Sequence, residues 1–195
     1  MSTATPTLAD TTLAAIPAVP RKVALAIAGT LLIWISAKVQ VPFYPVPMTL
    51  QTLAVLGIGL VYGGRLGAAT LLLYLAEGAL GLPVFAGTPE KGIGLAYMMG
   101  PTGGYLVGYA LAAFVTGALA ERGFDRRMST TALAMLAGNV AIYVPGLVWL
   151  GVCIGWDKPV LALGLVPFFI GDVVKLALAA FGLPAIRRLC DGRRN

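Results

Sequence analysis

ALAMLAGNVAIYVPGLVWLGVCI, residues 132–154, decides the fold class, because this run of 23 residues contains no charged side chain. At about 1.5 Å of rise per residue, a helix of this length covers about 34 Å, enough to cross the roughly 30 Å hydrocarbon core of a bilayer. The whole chain has the same character: 58% of its 195 residues are hydrophobic and 11% are charged, where a soluble domain carries about 25% charged residues. The sequence therefore predicts an integral membrane protein and excludes an ordinary soluble fold.

Five further apolar runs bring the number of predicted membrane crossings to six. In chain order the six runs cover residues 23–39, 48–62, 66–82, 104–119, 132–154 and 167–188. Pro167 separates the last run from residues 159–166, which we expect to form a short interfacial or re-entrant piece. We therefore predict an all-α, six-helix membrane domain over 21–189, with a flexible N-terminal tail at 1–20 and a basic C-terminal tail at 190–195.

The basic residues between the runs indicate how the chain is oriented in the membrane. The connections on the side of both termini carry ten Lys and Arg, whereas the opposite side carries three, namely Lys38, Lys91 and Lys158. Because cytoplasmic loops are enriched in Lys and Arg, we expect a multi-pass protein of a bacterial inner (plasma) membrane with both termini in the cytoplasm. The Pro- and Gly-rich segments 40–47 and 83–103 then face outward, where they would cap a ligand pocket.

Several classes of function are excluded by residue types that the sequence lacks. It contains no histidine, which removes Ser-His and Cys-His catalysis, HExxH zinc sites and histidine-ligated haem. It contains no G-x-x-x-x-G-K-[ST] loop, so the chain cannot by itself be a P-loop ATPase. Cys153 and Cys190 fall at predicted opposite faces of the membrane, too far apart for a disulfide. The net charge of +6 is explained by topology and not by nucleic-acid binding, because the basic residues lie between the apolar runs.

Three charged residues fall inside predicted spans: Glu77, Asp172 and Lys175. Such residues cost about 2.5 to 3.5 kcal/mol each on insertion scales, so they are functional candidates. Asp172 and Lys175 are three residues apart and share a helical face. They either contact a polar ligand in an outward-open cavity or neutralise each other and hold helices together. Glu77 lies near a helix end, from which its carboxylate can reach the interface.

Uncharged polar residues supply further candidates. Asn139 and Tyr143, one turn apart, form either a ligand site or hydrogen-bonding contacts between helices. The sequence GPTGGY at residues 100–105 opens the fourth run, and glycines at a helix start expose backbone N–H groups to a polar ligand. Within this sequence Tyr105 offers both a ring and a hydroxyl.

Four blocks of sequence together form a recognisable pattern. They are VPF at 41–43 with PVPMTLQT at 45–52, GLPVFAG at 81–87, GPTGGY at 100–105, and PF at 167–168 with GD at 171–172 and Lys175. In this order, over about residues 22–188, the pattern resembles the BioY family, the biotin-specific substrate-binding (S) components of energy-coupling-factor (ECF) vitamin transporters. The resemblance implies six helices, an outward-facing biotin pocket, and high-affinity capture of biotin for transport.

The resemblance also implies partner proteins. These are a transmembrane coupling subunit and ATP-binding-cassette subunits, which hydrolyse the ATP, so this chain is not expected to be an enzyme or to need a cofactor beyond the biotin it transports. An S component would dock on its coupling subunit through a surface of small residues. Ala24 and Ala28 have the small-xxx-small spacing that lets helices approach closely in lipid, and packing within the chain is the alternative explanation for them.

Biotin has a carboxylate, a ureido ring with two N–H donors and one carbonyl acceptor, and an apolar thioether bicycle. Lys175 matches the carboxylate, and Asp172 with Asn139 or Thr102 matches the ureido ring. The remaining predicted site residues are aromatic or lie beside these groups: Phe43, Phe85, Tyr97, Gly103, Tyr105 and Tyr143. Which polar group meets which end of biotin stays open at the level of sequence.

Two other functions compete with this interpretation. A self-sufficient secondary vitamin transporter would use Asp172 or Glu77 as a proton relay and would be sensitive to uncouplers without any ATPase partner. An intramembrane enzyme would depend on the same two carboxylates, because the chain has no histidine. Two Asp residues on separate spans, the arrangement of aspartyl proteases, are not available.

Overall fold

The computed structural model describes residues 5–13 and 15–192, without the side chains of residues 191 and 192. Most of this part of the chain is helical. The elements are α1 Leu8–Thr12, α2 Ala18–Lys38, β1 Gln40–Val41, β2 Met48–Thr49, α3 Gln51–Tyr62, α4 Gly64–Ala79, α5 Gly94–Met98, α6 Gly103–Ala120, α7 Met128–Ile154, α8 Val160–Gly164 and α9 Val166–Gly192.

Within the described residues, four helical segments are long and apolar enough to cross a membrane. They are Ala18–Lys38, Gly103–Ala120, Met128–Ile154 and Val160–Cys190, the last of which combines α8 with α9. The other two predicted spans correspond to α3 and α4, which have 12 and 16 residues, fewer than the roughly 20 of a typical crossing. The prediction of a multi-span helical membrane protein is confirmed, whereas the number of six crossings stays a prediction.

One glycine separates α3 from α4. Gly63 has a φ of +85°, a left-handed conformation that glycine adopts without a steric penalty. Its amide donates to the carbonyl of Gly59, 2.9 Å away, and so closes α3. The next amide, of Gly64, donates to the Glu121 carboxylate at 2.9 Å and so starts α4. The chain therefore turns tightly between α3 and α4.

The core is built around α6, which packs against α3, α4 and α7. Glycines let the backbones touch directly: a Cβ added at Gly59 would lie 2.6 Å from the carbonyl oxygen of Ala113, and one added at Gly108 would lie 2.8 Å from Cα of Ile142. Small residues at such contacts are what helix association in lipid requires. As a result, 61% of the 18 residues in the apolar stretch of α6 are buried, against 17% of those in the apolar stretch of α2.

The two ends of the bundle differ. At one end β1 and β2 pair antiparallel, with Gln40 opposite Thr49 and Val41 opposite Met48, next to the irregular residues 80–102 that contain α5. We call this the hairpin end. The other end holds α1 and the connection between α6 and α7, and we call it the α1 end.

The N-terminal residues differ from the predicted flexible tail over 1–20. The Thr7 hydroxyl accepts from the Asp10 amide at 3.2 Å, and the Asp10 carboxylate accepts from the Thr7 amide at 3.4 Å, a reciprocal cap that fixes α1. The Thr5 amide donates to the Glu121 carbonyl at 2.8 Å, and Asp10 pairs with Arg21 at 2.9 Å. These contacts explain why residues 5–13 pack against the bundle.

Other boundaries also shift. Helix α2 begins at Ala18, before the predicted start of the membrane domain, and α9 covers Val166–Gly192 where the prediction is 167–188. The short piece expected over 159–166 is occupied by α8. Of the predicted basic tail, residues 193–195 lie outside the described residues.

Candidate functional site

A cavity of about 40 Å³ lies at the hairpin end. The hairpin, five helices and one loop converge on it, the helices being α3, α5, α6, α7 and α9 and the loop being the one after α4. The polar and aromatic side chains in its lining are Thr49, Gln51, Thr52, Tyr97, Thr102, Tyr105, Tyr109, Tyr143, Phe168, Asp172 and Lys175. A volume of this size holds no more than a few water molecules.

A charged pair on α9 forms one wall of the cavity. Nζ of Lys175 lies 3.2 Å from Oδ1 of Asp172, and the two side chains are 12% and 10% exposed. The ammonium also donates to the carbonyl oxygen of Thr49 and to the hydroxyl of Thr52, both at 2.8 Å. All three ammonium hydrogens therefore have acceptors, which is what an ammonium needs when it is withdrawn from water.

The Asp172 carboxylate is held by neighbours on two other helices. The Tyr143 hydroxyl of α7 donates to Oδ2, and the Thr52 hydroxyl of α3 lies 3.4 Å from Oδ1. Together with Lys175 these donors satisfy both carboxylate oxygens. The pair thus joins α3, α7 and α9 in the wall of the cavity.

Neutral hydrogen bonds hold the loop after α4 beside the cavity. The Gln51 amide donates to the Tyr74 hydroxyl, and the Tyr74 hydroxyl donates to the carbonyl of Val84, each at 2.8 Å. The Tyr97 hydroxyl donates to the carbonyl of Ala86 at 2.7 Å. Burial raises the pKa of the Tyr97 hydroxyl, so it stays a proton donor. These tyrosines fix the loop after α4 over the cavity.

Six of the predicted site residues line the cavity together: Tyr97, Thr102, Tyr105, Tyr143, Asp172 and Lys175. Their rings are ordered by direct contact, since Tyr105 and Tyr143 meet edge to face with centroids 6.1 Å apart. The Tyr105 hydroxyl is used structurally, because it donates to the carbonyl of Gly164 at 2.9 Å. The Tyr105 hydroxyl is therefore already engaged, while the residue borders the cavity.

Three predicted residues lie behind the lining. Phe85 is fully buried, with its ring 5.5 Å from that of Tyr74 and 5.1 Å from that of Tyr97. Phe43 is 38% exposed and contacts Phe168, which does line the cavity. Gly103 provides close packing, because an added Cβ there would collide with the carbonyl of Met98. Such residues support the site without touching the cavity.

Asn139 and Glu77 also lie outside the cavity lining. Asn139 is buried on α7, one turn from Tyr143, and borders an apolar groove between α7 and α9 of about 380 Å³, which shares Tyr143 and Asp172 with the cavity. Its Oδ1 lacks a hydrogen-bond partner among the described residues. Glu77 is half-buried on α4. Ala24 and Ala28 are both exposed on α2, at the half of that helix nearer the α1 end.

Sequence reasoning missed five of the polar and aromatic lining residues as individual candidates: Thr49, Gln51, Thr52, Tyr109 and Phe168. The first three fall in the block PVPMTLQT at 45–52 that carried the family resemblance. Tyr109 follows Tyr105 by one helical turn, so the spacing of four residues on α6 could have identified it. The Thr49 carbonyl that accepts a hydrogen bond from the Lys175 ammonium belongs to the backbone, so no pattern of side chains could have identified this contact.

Comparison with known proteins places the chain among transporters. The BioY family model matches residues 6–192. The probable biotin transporter BioY of Pyrococcus horikoshii is 40% identical over 145 residues, covering 74% of this chain and 83% of that protein. The biotin transporter BioY of Thermotoga maritima is 37% identical over 160 residues, covering 82% of this chain and 92% of its own length.

A solved structure shows the same fold. The crystal structure of the S-component for biotin from an ECF-type ABC transporter matches with a TM-score of 0.72 at 23% identity, covering 86% of this chain and 91% of that chain. The family match extends over nearly all of the described residues, and two relatives exceed one third identity over most of their own length. The chain belongs to the BioY family.

Proposed function

We propose that this chain captures biotin in the cavity at the hairpin end, as the substrate-binding subunit of an ATP-driven ECF importer. The observation that carries the proposal is the Asp172–Lys175 pair, which lies in the wall of a cavity lined by aromatic rings. Charges in a membrane domain are expensive and mark substrate sites. The ligand and the transporter class are those of the two biotin transporters and of the ECF S-component that the chain resembles.

The ureido ring of biotin is assigned to the charged pair. A ureido edge has an N–H donor beside a carbonyl acceptor. Asp172 supplies the complementary acceptor, and Lys175, 3.2 Å away, supplies the donor when it exchanges one of its three present acceptors for the ureido carbonyl. The pair is neutral overall, so a neutral ureido group leaves it neutral, whereas a carboxylate would bring an excess negative charge into a poorly hydrated site. The biotin carboxylate is assigned to the opposite side of the cavity, beside Tyr97 and Thr102.

Thermal unfolding of the purified chain tests this function. A ligand that binds only the folded state at 100 times its Kd stabilises it by about 2.7 kcal/mol, so biotin should raise the melting temperature in detergent. Thiamine and riboflavin, which lack the fused ureido–thioether bicycle of biotin, serve as vitamin controls and should not raise it. A shift with either of these vitamins, and none with biotin, would exclude biotin as the ligand.

The membrane arrangement follows from the charges at the two ends. The α1 end carries Arg65, Arg122, Arg126 and Arg127, all exposed or at loop positions, so the positive-inside tendency puts this end in the cytoplasm. The cavity at the hairpin end then faces outward. With α3 and α4 each crossing the membrane, the domain has six spans and both termini are cytoplasmic.

Docking on a coupling subunit is assigned to α2. This helix is the least buried of the four long apolar segments. Ala24 and Ala28, four residues apart, form an exposed patch of small side chains on it. Replacing both by Trp should abolish co-purification with the coupling subunit and leave biotin binding intact, because the cavity is at the other end of the helix. Retained co-purification would contradict the docking surface, and lost biotin binding would indicate packing within the chain instead.

A further inference from the structure

Lys38, the last residue of α2, reaches across to the loop that follows α4. Its Nζ lies 2.9 Å from the carbonyl oxygen of Pro83 and 3.2 Å from that of Phe85. It lies 3.1 Å from the carbonyl oxygen and 3.2 Å from the hydroxyl of Thr88. Four acceptors of one short loop thus surround a single ammonium group.

The loop that Lys38 holds is part of the cavity wall. Between the Lys38 acceptors lies Ala86, which lines the cavity and whose carbonyl receives the Tyr97 hydroxyl. Lys38 is also followed closely by β1, whose partner strand β2 supplies Met48 and Thr49 to the cavity. Lys38 therefore joins the two segments that cover the cavity, the hairpin and the loop over 83–88. We call them the roof segments.

The size of the cavity makes the roof segments important. A volume of about 40 Å³ takes a few waters and not a bicyclic ligand, so the lining must move before biotin enters. The helices around the cavity pack closely, with α6 fixed against α3 and α7, and close-packed interiors yield little. The loop over 83–88 buries Val84 and Phe85 and is otherwise held by side-chain hydrogen bonds from Lys38, Tyr74 and Tyr97. Of these bonds, those of the exposed Lys38 can be exchanged with water one at a time.

The hydrogen bonds between the Lys38 ammonium and the loop over 83–88 can break and form again. Charge-assisted hydrogen bonds to carbonyl oxygens are stronger than neutral ones. Among the described residues, four carboxylates form ion pairs, with Arg21, Lys158, Lys175 and Arg187, and none pairs with Lys38. The ammonium is thus held by neutral acceptors alone, for which water can substitute.

We propose that Lys38 is a positioning residue for the roof: it fastens the loop over 83–88 to the end of α2 and so limits the exchange of biotin with the outside. The consequence for biotin rests on the proposed function, whereas the fastening itself does not. Lys38 acts through the loop and makes no hydrogen bond to the Asp172–Lys175 wall.

Hydrogen–deuterium exchange without ligand tests the fastening directly. In Lys38→Met, amide exchange over residues 83–92 should accelerate by about tenfold or more, while the amides of α6 and α7 keep their protection. Lys91→Met is the matched control, since Lys91 is an exposed lysine of the same loop whose ammonium makes no hydrogen bond to the described residues. It removes the same charge and should leave the exchange unchanged.

A second variant and a second measurement complete the test. Thr88→Val removes one of the four acceptors and also the hydrogen bond that the Thr88 hydroxyl donates to the carbonyl of Phe85 at 2.7 Å. It keeps three acceptors of Lys38, so it should accelerate exchange in the same residues by a smaller factor. The dissociation rate of biotin should rise in the order wild type, Thr88→Val, Lys38→Met, and Lys91→Met should match the wild type.

Unchanged exchange over 83–92 in Lys38→Met, or an equal acceleration in Lys91→Met, would overturn the proposal. Acceleration throughout the protein would show general destabilisation and would overturn it as well. If the exchange behaves as expected but the wild-type chain binds no biotin, the fastening stands and the proposed function fails.

Discussion

Two buried ion pairs lie at opposite ends of the molecule, and they differ in what surrounds them. At the hairpin end, Asp172 and Lys175 belong to one helix, are 10% and 12% exposed, and border a cavity. At the α1 end, Asp125 and Arg187 come from a connection and a helix, are 5% and 4% exposed, and border none of the cavities described above. Burial alone therefore does not distinguish a binding group from a structural one.

The partners of the α1-end pair are all structural. Arg187 donates to Asp125 and, at 2.8 Å, to the carbonyl of Pro6, so one guanidinium ties α9 to the connection between α6 and α7 and to the N-terminal residues. Oδ1 of Asp125 and Nε of Arg187 are buried and lack partners within the described residues. A sealed pair of this kind can hold elements together but cannot exchange partners with a ligand, whereas the pair at the cavity can.

The largest effect is expected when the sealed pair is broken. Arg187→Met leaves the Asp125 carboxylate buried without a counter-charge, which typically costs about 3 to 5 kcal/mol. For a chain of this length that corresponds to a melting temperature lower by roughly 6 to 20 °C. Thermal unfolding in detergent measures it, and the fraction that remains folded should bind biotin with unchanged Kd.

A double variant sharpens the same comparison. Asp125→Leu combined with Arg187→Met removes both charges and should recover part of the lost stability, because replacing a whole buried pair by apolar residues is often close to neutral. A single Arg187→Met variant that melts like the wild type but loses biotin would show that the α1-end pair belongs to the binding machinery after all.

The same contrast explains what the sequence could predict. Asp172 and Lys175 are three residues apart inside an apolar run, so their pairing could be inferred from spacing and hydropathy, which also made them candidates for a binding site. Asp125 and Arg187 are 62 residues apart, and each looks like an ordinary charge of a connection or a helix end. Their pairing depends on the packed fold, which no local pattern encodes.

Aromatic residues show a further limit of sequence reasoning. The sequence predicts Phe43, Phe85, Tyr97 and Tyr105 as a set because large rings suit an apolar bicycle, yet only the two tyrosines line the cavity. Phe85 is fully buried between other rings. Which side of a loop faces a cavity is fixed by tertiary hydrogen bonds, such as that of the Tyr74 hydroxyl to Val84, and these cannot be derived from composition or spacing.

The proposal that the cavity-lining pair recognises the ureido ring is tested most directly by the affinities of Lys175→Met for biotin and for its uncharged amide. Losing one partner of a desolvated pair costs about 2 kcal/mol or more, so biotin should bind at least about 30-fold more weakly. Because the ureido ring is common to both ligands, the binding of the amide should weaken by the same factor. The melting temperature without ligand should fall much less than in Arg187→Met, because Lys175 borders a cavity that water can enter.

Titration of both ligands into wild-type and Lys175→Met protein, with Asp172→Asn as a second variant at the same site, decides between the two ends of biotin. We predict that both variants bind both ligands more weakly, and that the ratio of the Kd for biotin to the Kd for its amide stays unchanged. A loss for biotin that clearly exceeds the loss for its amide would place the carboxylate on Lys175, and no loss for either ligand would reduce the pair to a structural contact; each of these results would contradict recognition of the ureido ring by the pair.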